Sequence, residues 1–311
     1  MKIITLTLNP AFDTHCFIED FKPYFENLAR ITSFDACGKG VNISRALNTA
    51  GIDNTAILIF GEDNADAFKK RLTDDGVRFE GVTVKGKIRE NITVHTEGKE
   101  ETRISFEGFE CDGRILDTVS SLIGDDLSDT VITFTGRAPL GVTVTELKVF
   151  LSGLRSKGAK LVIDSRSFTD INDIAEVGPW LIKPNAEEIR MYTDVKVTDF
   201  ESAATAAEQL QRLGIENVMI SLGSLGAVLS CEGDVFICPA AKITPLSTVG
   251  AGDSSIAGFI AASALGLGKD AALKYAVCYG SAACLTEGSA PPRKEDVDRL
   301  LPTVPVLRKI D

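Results

Sequence analysis

Apolar positions along the chain alternate between short unbroken runs and stretches of helical spacing. Ile3–Leu8 and Ala56–Phe60 are runs of the first kind, which suit strands covered on both faces. Between them, Val41–Ala50 has helical character, with Val41, Ile43 and Leu47 apolar, and stops at Gly51. Ala65–Asp75 reads as an exposed helix closed by Gly76. From residue 116 onward, strands and helices alternate. Thr130–Phe134, Lys160–Ile163, Trp180–Ile182, Asn217–Ser221 and Ala227–Ser230 read as strands. Val144–Lys157, Thr198–Leu213, Ser254–Leu265, Asp270–Leu285 and Glu295–Leu301 read as helices. This pattern predicts a mostly parallel α/β sheet with helices on both faces, whose ligands bind beyond the carboxyl ends of the strands.

Residues 79–107 break the pattern. Val82–Val84, Asn91–Thr96 and Thr102–Phe106 are short β-rich runs separated by Gly-Lys turns, and they predict a hairpin-like insertion. His15–Phe21 and Ile31–Phe34 are expected to add strands to it.

Composition narrows the class. The chain has 311 residues, 44% hydrophobic and 25% charged, as an ordinary globular domain does. Its net charge of −11 opposes a nucleic-acid or anionic-membrane surface. An anionic substrate would then rely on a few local cations. The seven Cys form no CxxC pair, and reduced thiols in a cytoplasmic protein are expected. The first ten residues lack a signal-peptide core, and the longest apolar stretch, Ile256–Gly268, is shorter than a membrane span.

Four loops carry chemistry. The first is Ser247-Thr248-Val249-Gly250-Ala251-Gly252-Asp253-Ser254, running directly into an apolar helix. Small residues let backbone N–H groups converge, and the helix start adds partial positive charge, so Gly250, Ala251 and Gly252 suit a transferring phosphoryl group. Asp253 at that mouth suits a base that takes a hydroxyl proton. An Asp after a glycine turn is also an ordinary helix cap.

The second loop, Cys37-Gly38-Lys39-Gly40-Val41-Asn42, joins close backbone approach, a mobile cation and an amide, which suits a phosphorylated polyol. A solvated turn has the same composition. In the third, Lys183-Pro184-Asn185-Ala186-Glu187-Glu188, Asn185 and Glu188 lie three apart. They suit either hydrated Mg²⁺ or a reciprocal capping box. The fourth, Ser221-Leu222-Gly223-Ser224-Leu225-Gly226, is either a nucleotide-contacting loop or a hairpin turn. HExxH, GxSxG, GxGxxG after the first strand, and Gly-Lys-Ser/Thr are all absent, which turns the reading away from zinc hydrolases, serine hydrolases, dinucleotide enzymes and Walker-type ATPases.

In this order the loops resemble the PfkB (ribokinase-like) sugar kinase family across essentially the whole chain. Asn9-Pro10-Ala11-Phe12-Asp13 and the closing Ala283–Pro291 stretch are similar to its ketohexose-phosphate branch, 1-phosphofructokinase and tagatose-6-phosphate kinase. The resemblance implies one three-layer α/β/α domain over 1–311, with a β lid from about 12–36 and 79–107, and a homodimer packed through the lids. It implies ATP and Mg²⁺ as cofactors and a small phosphosugar as the partner, such as fructose 1-phosphate. Asp253 matches the base, and Gly250, Ala251 and Gly252 the anion hole. Asp13, Gly38, Lys39, Asn42, Arg89 and Arg103 match sugar-phosphate contacts. Lys183, Asn185 and Glu188 match phosphate and metal positions, with Ser221, Gly223 and Gly226 at the nucleotide.

Three departures stand out. Cys37 replaces the first Gly of Gly-Gly-Lys-Gly, so either its φ is ordinary or the loop is shifted. Arg137 replaces a hydroxyl residue, and is expected either to grip the substrate phosphate or to lie at the surface. Asp164-Ser165-Arg166 replaces Asp-x-Ser-Gly. Two competing functions remain: a kinase of an unphosphorylated sugar or nucleoside, and a sugar-phosphate sensor without catalysis.

Overall fold

The computed structural model describes residues 1–308. The strands in chain order are β1 (Lys2–Thr7), β2 (Ala11–Phe17), β3 (Arg30–Cys37), β4 (Thr55–Gly61), β5 (Phe79–Val84), β6 (Arg89–His95), β7 (Thr102–Ser105), β8 (Thr130–Gly136), β9 (Lys160–Ser165), β10 (Leu181–Ile182), β11 (Asn217–Ser221), β12 (Gly226–Cys231), β13 (Asp234–Pro239) and β14 (Leu307–Arg308). The helices are α1 (Lys39–Thr49), α2 (Ala65–Asp74), α3 (Ile115–Ile123), α4 (Val144–Ser156), α5 (Ile171–Val177), α6 (Phe200–Gln211), α7 (Ala251–Ala264), α8 (Lys269–Ala283) and α9 (Lys294–Leu300).

A large sheet runs β14-β13-β12-β11-β10-β9-β8-β1-β4-β5. From β11 to β5 every pairing is parallel, and β12, β13 and β14 add an antiparallel edge. Its central strands are apolar on both faces because helices cover both, and the core forms two large clusters, one on each side. The chain leaves β1 toward β4 and β5, then returns to β8 on the other flank. The strand order therefore reverses between β1 and β8, which opens a crevice at their carboxyl ends. α7 is apolar all round and is buried against α1 and α8.

A second sheet runs β3-β2-β6-β7. Phe12 on β2 stacks on Phe34 of β3 at 4.7 Å and meets Phe68 of α2 edge-on at 5.1 Å, which fastens this sheet to the core. The sequence expectation put residues 79–84 in this insertion. The structure corrects it: β5 pairs in parallel with β4 at the edge of the large sheet. The insertion thus takes β2, β3, β6 and β7.

Candidate active site

Asp164 at the carboxyl end of β9 and Lys183 just past β10 meet the amino terminus of α7, and Asn42 of α1 reaches it from the second loop. Gly250 precedes the helix in a left-handed conformation, φ 76°, where a side chain would be strained. The first helical bond runs from Ser254 N to Gly250 O at 2.9 Å, and Ala251 N reaches back to Thr248 O at 3.4 Å, which leaves the N–H groups of Gly252 and Asp253 at the helix mouth outside the helical ladder. Asp253 is the third residue of α7 and forms no cap. Its buried carboxylate instead accepts a hydrogen bond from Asn42 Nδ2 at 2.9 Å. The capping alternative for Asp253 is thereby excluded.

Burial pushes the Asp253 carboxyl up to about 6, assisted by nearby Asp164, while Lys39, the Asn42 amide and Lys183 hold it back. Lys39, from the first turn of α1, places Nζ 3.0 Å from Asp164 Oδ2. Lys183 Nζ lies 3.8 Å from the same oxygen. It also sits so close to Gly252 that a Cβ there would come within 3.2 Å of the ammonium. Burial drives Asp164 toward neutrality, but Lys183 and Lys39 outweigh it and hold the carboxyl below the usual range. Lys39 is correspondingly raised: its burial cost is exceeded by Asp164, Asp253 and Glu188. Two ammonium groups and a helix terminus thus face one small volume.

On the side of the small sheet, Asp13 is buried and accepts from Asn91 Nδ2 at 2.6 Å. Arg103 Nη2 lies 3.4 Å from both Asp13 oxygens. Arg89 Nη1 donates to Asn91 Oδ1 at 3.0 Å. Burial lowers the Arg89 pKa, Asp13 opposes this, and the charges of Arg103 and Arg137 lower it further. Three guanidinium groups from three segments therefore share one field around one carboxylate. Arg89 Nε and Asn42 Oδ1 are both buried without a hydrogen-bond partner.

Gly38, φ 149°, passes so close to β1 that a Cβ would overlap Thr7 Cγ2. Cys37 is absent from the positive-φ residues, so the strain of this loop falls on Gly38 and the Cys is accommodated without it. Asn185 and Glu188 form the reciprocal cap that their spacing allowed. Asn185 Oδ1 accepts from Glu188 N at 2.8 Å, and Glu188 Oε2 accepts from Asn185 N at 3.2 Å. Ser221–Gly226 connects antiparallel β11 and β12, as a hairpin turn does. Gly226 is required by packing, because at φ 127° a Cβ would overlap Cys238 O. Ser221 lies against the third loop, with Ser221 N bonded to Pro184 O at 3.1 Å. Among the described residues, no group of three or more His, Cys, Asp or Glu is placed to hold a metal ion, and no helix is long and apolar enough to cross a membrane.

The family model for the pfkB family carbohydrate kinases matches residues 13–296. The chain belongs to that family. The 1-phosphofructokinase of Escherichia coli K12 is 31% identical over 264 residues, with 83% of each chain covered. The 1-phosphofructokinase of Haemophilus influenzae is 29% identical over 282 residues, covering 90% of each. The crystal structure of phosphofructokinase-2 from Escherichia coli in complex with substrates and products superposes with a TM-score of 0.90 at 24% identity, covering 97% of this chain and 99% of that one. The large parallel sheet with its smaller companion is the pfkB fold, and a carbohydrate kinase of this family uses ATP.

Two site residues escaped the sequence reading. Asp164 was noted only as part of an altered motif, yet it is the shared counter-ion of Lys39 and Lys183. Its position at the end of a strand that opens on the crevice was the available signal. Asn91, which joins Arg89 to Asp13, lies in strand alternation with Arg89, and so on the same sheet face.

Proposed function

We propose that this protein transfers a phosphoryl group from ATP to a free hydroxyl of a ketohexose phosphate, with fructose 1-phosphate giving fructose 1,6-bisphosphate as the first choice and tagatose 6-phosphate next. The observation that carries this reading is a raised, buried carboxylate, Asp253, in the first turn of α7, in the field of Lys39 and Lys183 and hydrogen-bonded to Asn42 of the sugar loop. The curated relatives named 1-phosphofructokinase support the choice of acceptor.

In this reading Asp13 orients sugar hydroxyls, while Asn42 donates to Asp253 and keeps its carbonyl oxygen free for the sugar. Arg89, Arg103 and Arg137 receive the substrate's existing phosphate, for which a guanidinium fork is well shaped. Asp253 accepts the proton of the attacking hydroxyl. The Gly250-Ala251-Gly252 turn, through N–H groups that it keeps out of the helical ladder, stabilises the charge on the transferring group together with the Lys183 ammonium. Ser221 and Gly223 line the nucleotide side, with Gly226 shaping the turn.

The donor set fits a Mg²⁺ carried on nucleotide phosphates better than an all-protein cage. Glu188 would hold it through water, with Asn185 fixing the carboxylate, and when bound the ion offsets phosphate charge. The small sheet acts as a lid that excludes water. Exposed Tyr24, Phe25, Leu28 and Ile31, between and on β2 and β3, favour a homodimer formed through this sheet.

The test is ATP turnover with fructose 1-phosphate, fructose 6-phosphate, tagatose 1-phosphate and tagatose 6-phosphate side by side, with free fructose and a nucleoside as controls. Turnover with a ketohexose phosphate and none with the free sugar is expected. A preference for an unphosphorylated acceptor would overturn the reading.

A further inference from the structure

We infer that Cys37 is a positioning residue, whose side chain ties the start of α1 to the phosphoryl-transfer loop through Ser289. Cys37 ends β3, is 1% exposed, and places Sγ 3.3 Å from Ser289 Oγ. On its other side Arg45 Nη1 approaches the sulfur at 3.9 Å, while Arg45 Nη2 donates to Ala36 O at 2.8 Å and pairs with Asp75. The thiol is therefore held between two fixed neighbours. Burial and the charge of Asp13 keep it protonated, so it serves as a neutral contact and not as a nucleophile.

Ser289 leads onward to the catalytic loop. A Cβ on Gly250 would lie 3.7 Å from Ser289 Cα, so the 287–291 segment backs directly onto the residue that opens α7. Lys39 and Asn42 hang from the first turn of α1, immediately after Cys37 and Gly38. The start of α1 thus meets the start of α7 twice. One tie is the Asn42–Asp253 hydrogen bond inside the site. The other runs from Cys37 through its hydrogen-bond partner Ser289 to the backbone that lies beside the open α-face of Gly250. A single tie is a pivot, whereas two fix the angle between the residues that hold the acceptor and those that hold the transferring group. Phosphoryl transfer is sensitive to that alignment. A glycine at position 37 would leave only the pivot.

This rests on the family's phosphoryl-transfer chemistry and on Asp253 as the base, but not on which sugar is the acceptor. The test uses Cys37→Gly, Cys37→Ser, Ser289→Ala and the Cys37→Gly/Ser289→Ala double variant in the full chain, with whichever acceptor of the panel supports turnover. Cys37→Gly is expected to lower kcat about tenfold, with KM for the acceptor nearly unchanged, because the Asp13–arginine cluster is untouched. Cys37→Ser restores most of the loss, and the double variant is no worse than the poorer single one, as a shared contact requires. Hydrogen exchange over residues 247–253, which needs no acceptor at all, rises in Cys37→Gly and returns in Cys37→Ser. Additive losses in kcat, or unchanged exchange over that segment, would overturn the inference. A fall in melting temperature with kcat intact would also overturn it, since the contact would then be structural only. Absence of turnover with every acceptor, together with the expected exchange pattern, would count against the proposed function and in favour of the tie.

Discussion

Asn42 Nδ2 lies 2.9 Å from Asp253 Oδ2, so the helix that follows the sugar loop and the helix that follows the phosphate loop meet in one hydrogen bond. The bond favours the charged carboxylate, against the burial that disfavours it. Asp253 acts only when deprotonated, so kcat/KM is expected to fall below about pH 6, where this carboxyl takes up its proton. In Asn42→Ala the supporting donor is gone, the carboxyl rises further, and the acidic limb moves to higher pH. A pH profile of both proteins checks this, and a limb that stays in place or moves down would remove Asn42 from control of the base.

Asp253→Asn should trade activity for stability. Loss of the base is expected to lower kcat by about 10²–10⁴-fold while acceptor affinity persists. The variant also removes a buried charge. A carboxyl raised from 3.8 to about 6 on folding costs the native state roughly 3 kcal/mol when ionised. The sign follows from proton uptake: between these two values the folded state binds more proton than the unfolded state, so wild-type stability declines as pH rises. Asp253→Asn is thus expected to be more stable than wild type at pH 8, with the gain fading as pH falls through 6 toward 4. Urea denaturation at the two pH values measures it, and equal stability at pH 8 would mean the carboxylate is well solvated.

How much of this was legible before the structure differs from residue to residue. The Gly250–Asp253 loop was readable because small residues before an apolar helix have few other uses. Asp164 was harder, because a strand end marks a crevice position without naming its partners; only the fold brings Lys39 to it from 125 residues upstream and Lys183 from just past the neighbouring strand. β5 was assigned to the wrong sheet for a physical reason. It is an edge strand, half-exposed along its length, and its alternation of polar and apolar residues is that of a lid strand. Asn185 and Glu188 show the reverse case, since one spacing serves a cap and a metal site alike, and the structure displays the cap.

Arg89 is expected to act on one substrate and not on the other. Its Nε is buried without a partner, and Arg103 and Arg137 add positive charge around it. A phosphate dianion would satisfy both conditions. Arg89→Ala should raise KM for the phosphosugar by roughly 10- to 100-fold, as loss of a charged hydrogen bond does. KM for ATP should stay within about twofold, since the charges that act on Arg89 are Asp13, Arg103 and Arg137 and not Lys183 or Asp253. Steady-state kinetics with each substrate varied in turn decide it, and parallel increases in both would place Arg89 outside the sugar subsite.

Asp164→Asn reverses the pH effect of Asn42→Ala and adds one of its own. Asp164 helps to raise the Asp253 carboxyl, so neutralising it lowers that value and moves the acidic limb of kcat/KM to lower pH. The same change leaves Lys39 and Lys183 facing each other without their shared counter-ion. Removing one partner of a buried charge cluster costs about 3 kcal/mol or more, so the free variant should melt several degrees below wild type. Nucleotide phosphates would bring negative charge back to the two lysines. ATP is therefore expected to raise the melting temperature of Asp164→Asn more than that of wild type, at nucleotide concentrations that saturate both. An equal or smaller rise would show that the phosphates do not reach the lysines, and would move the nucleotide away from Lys183.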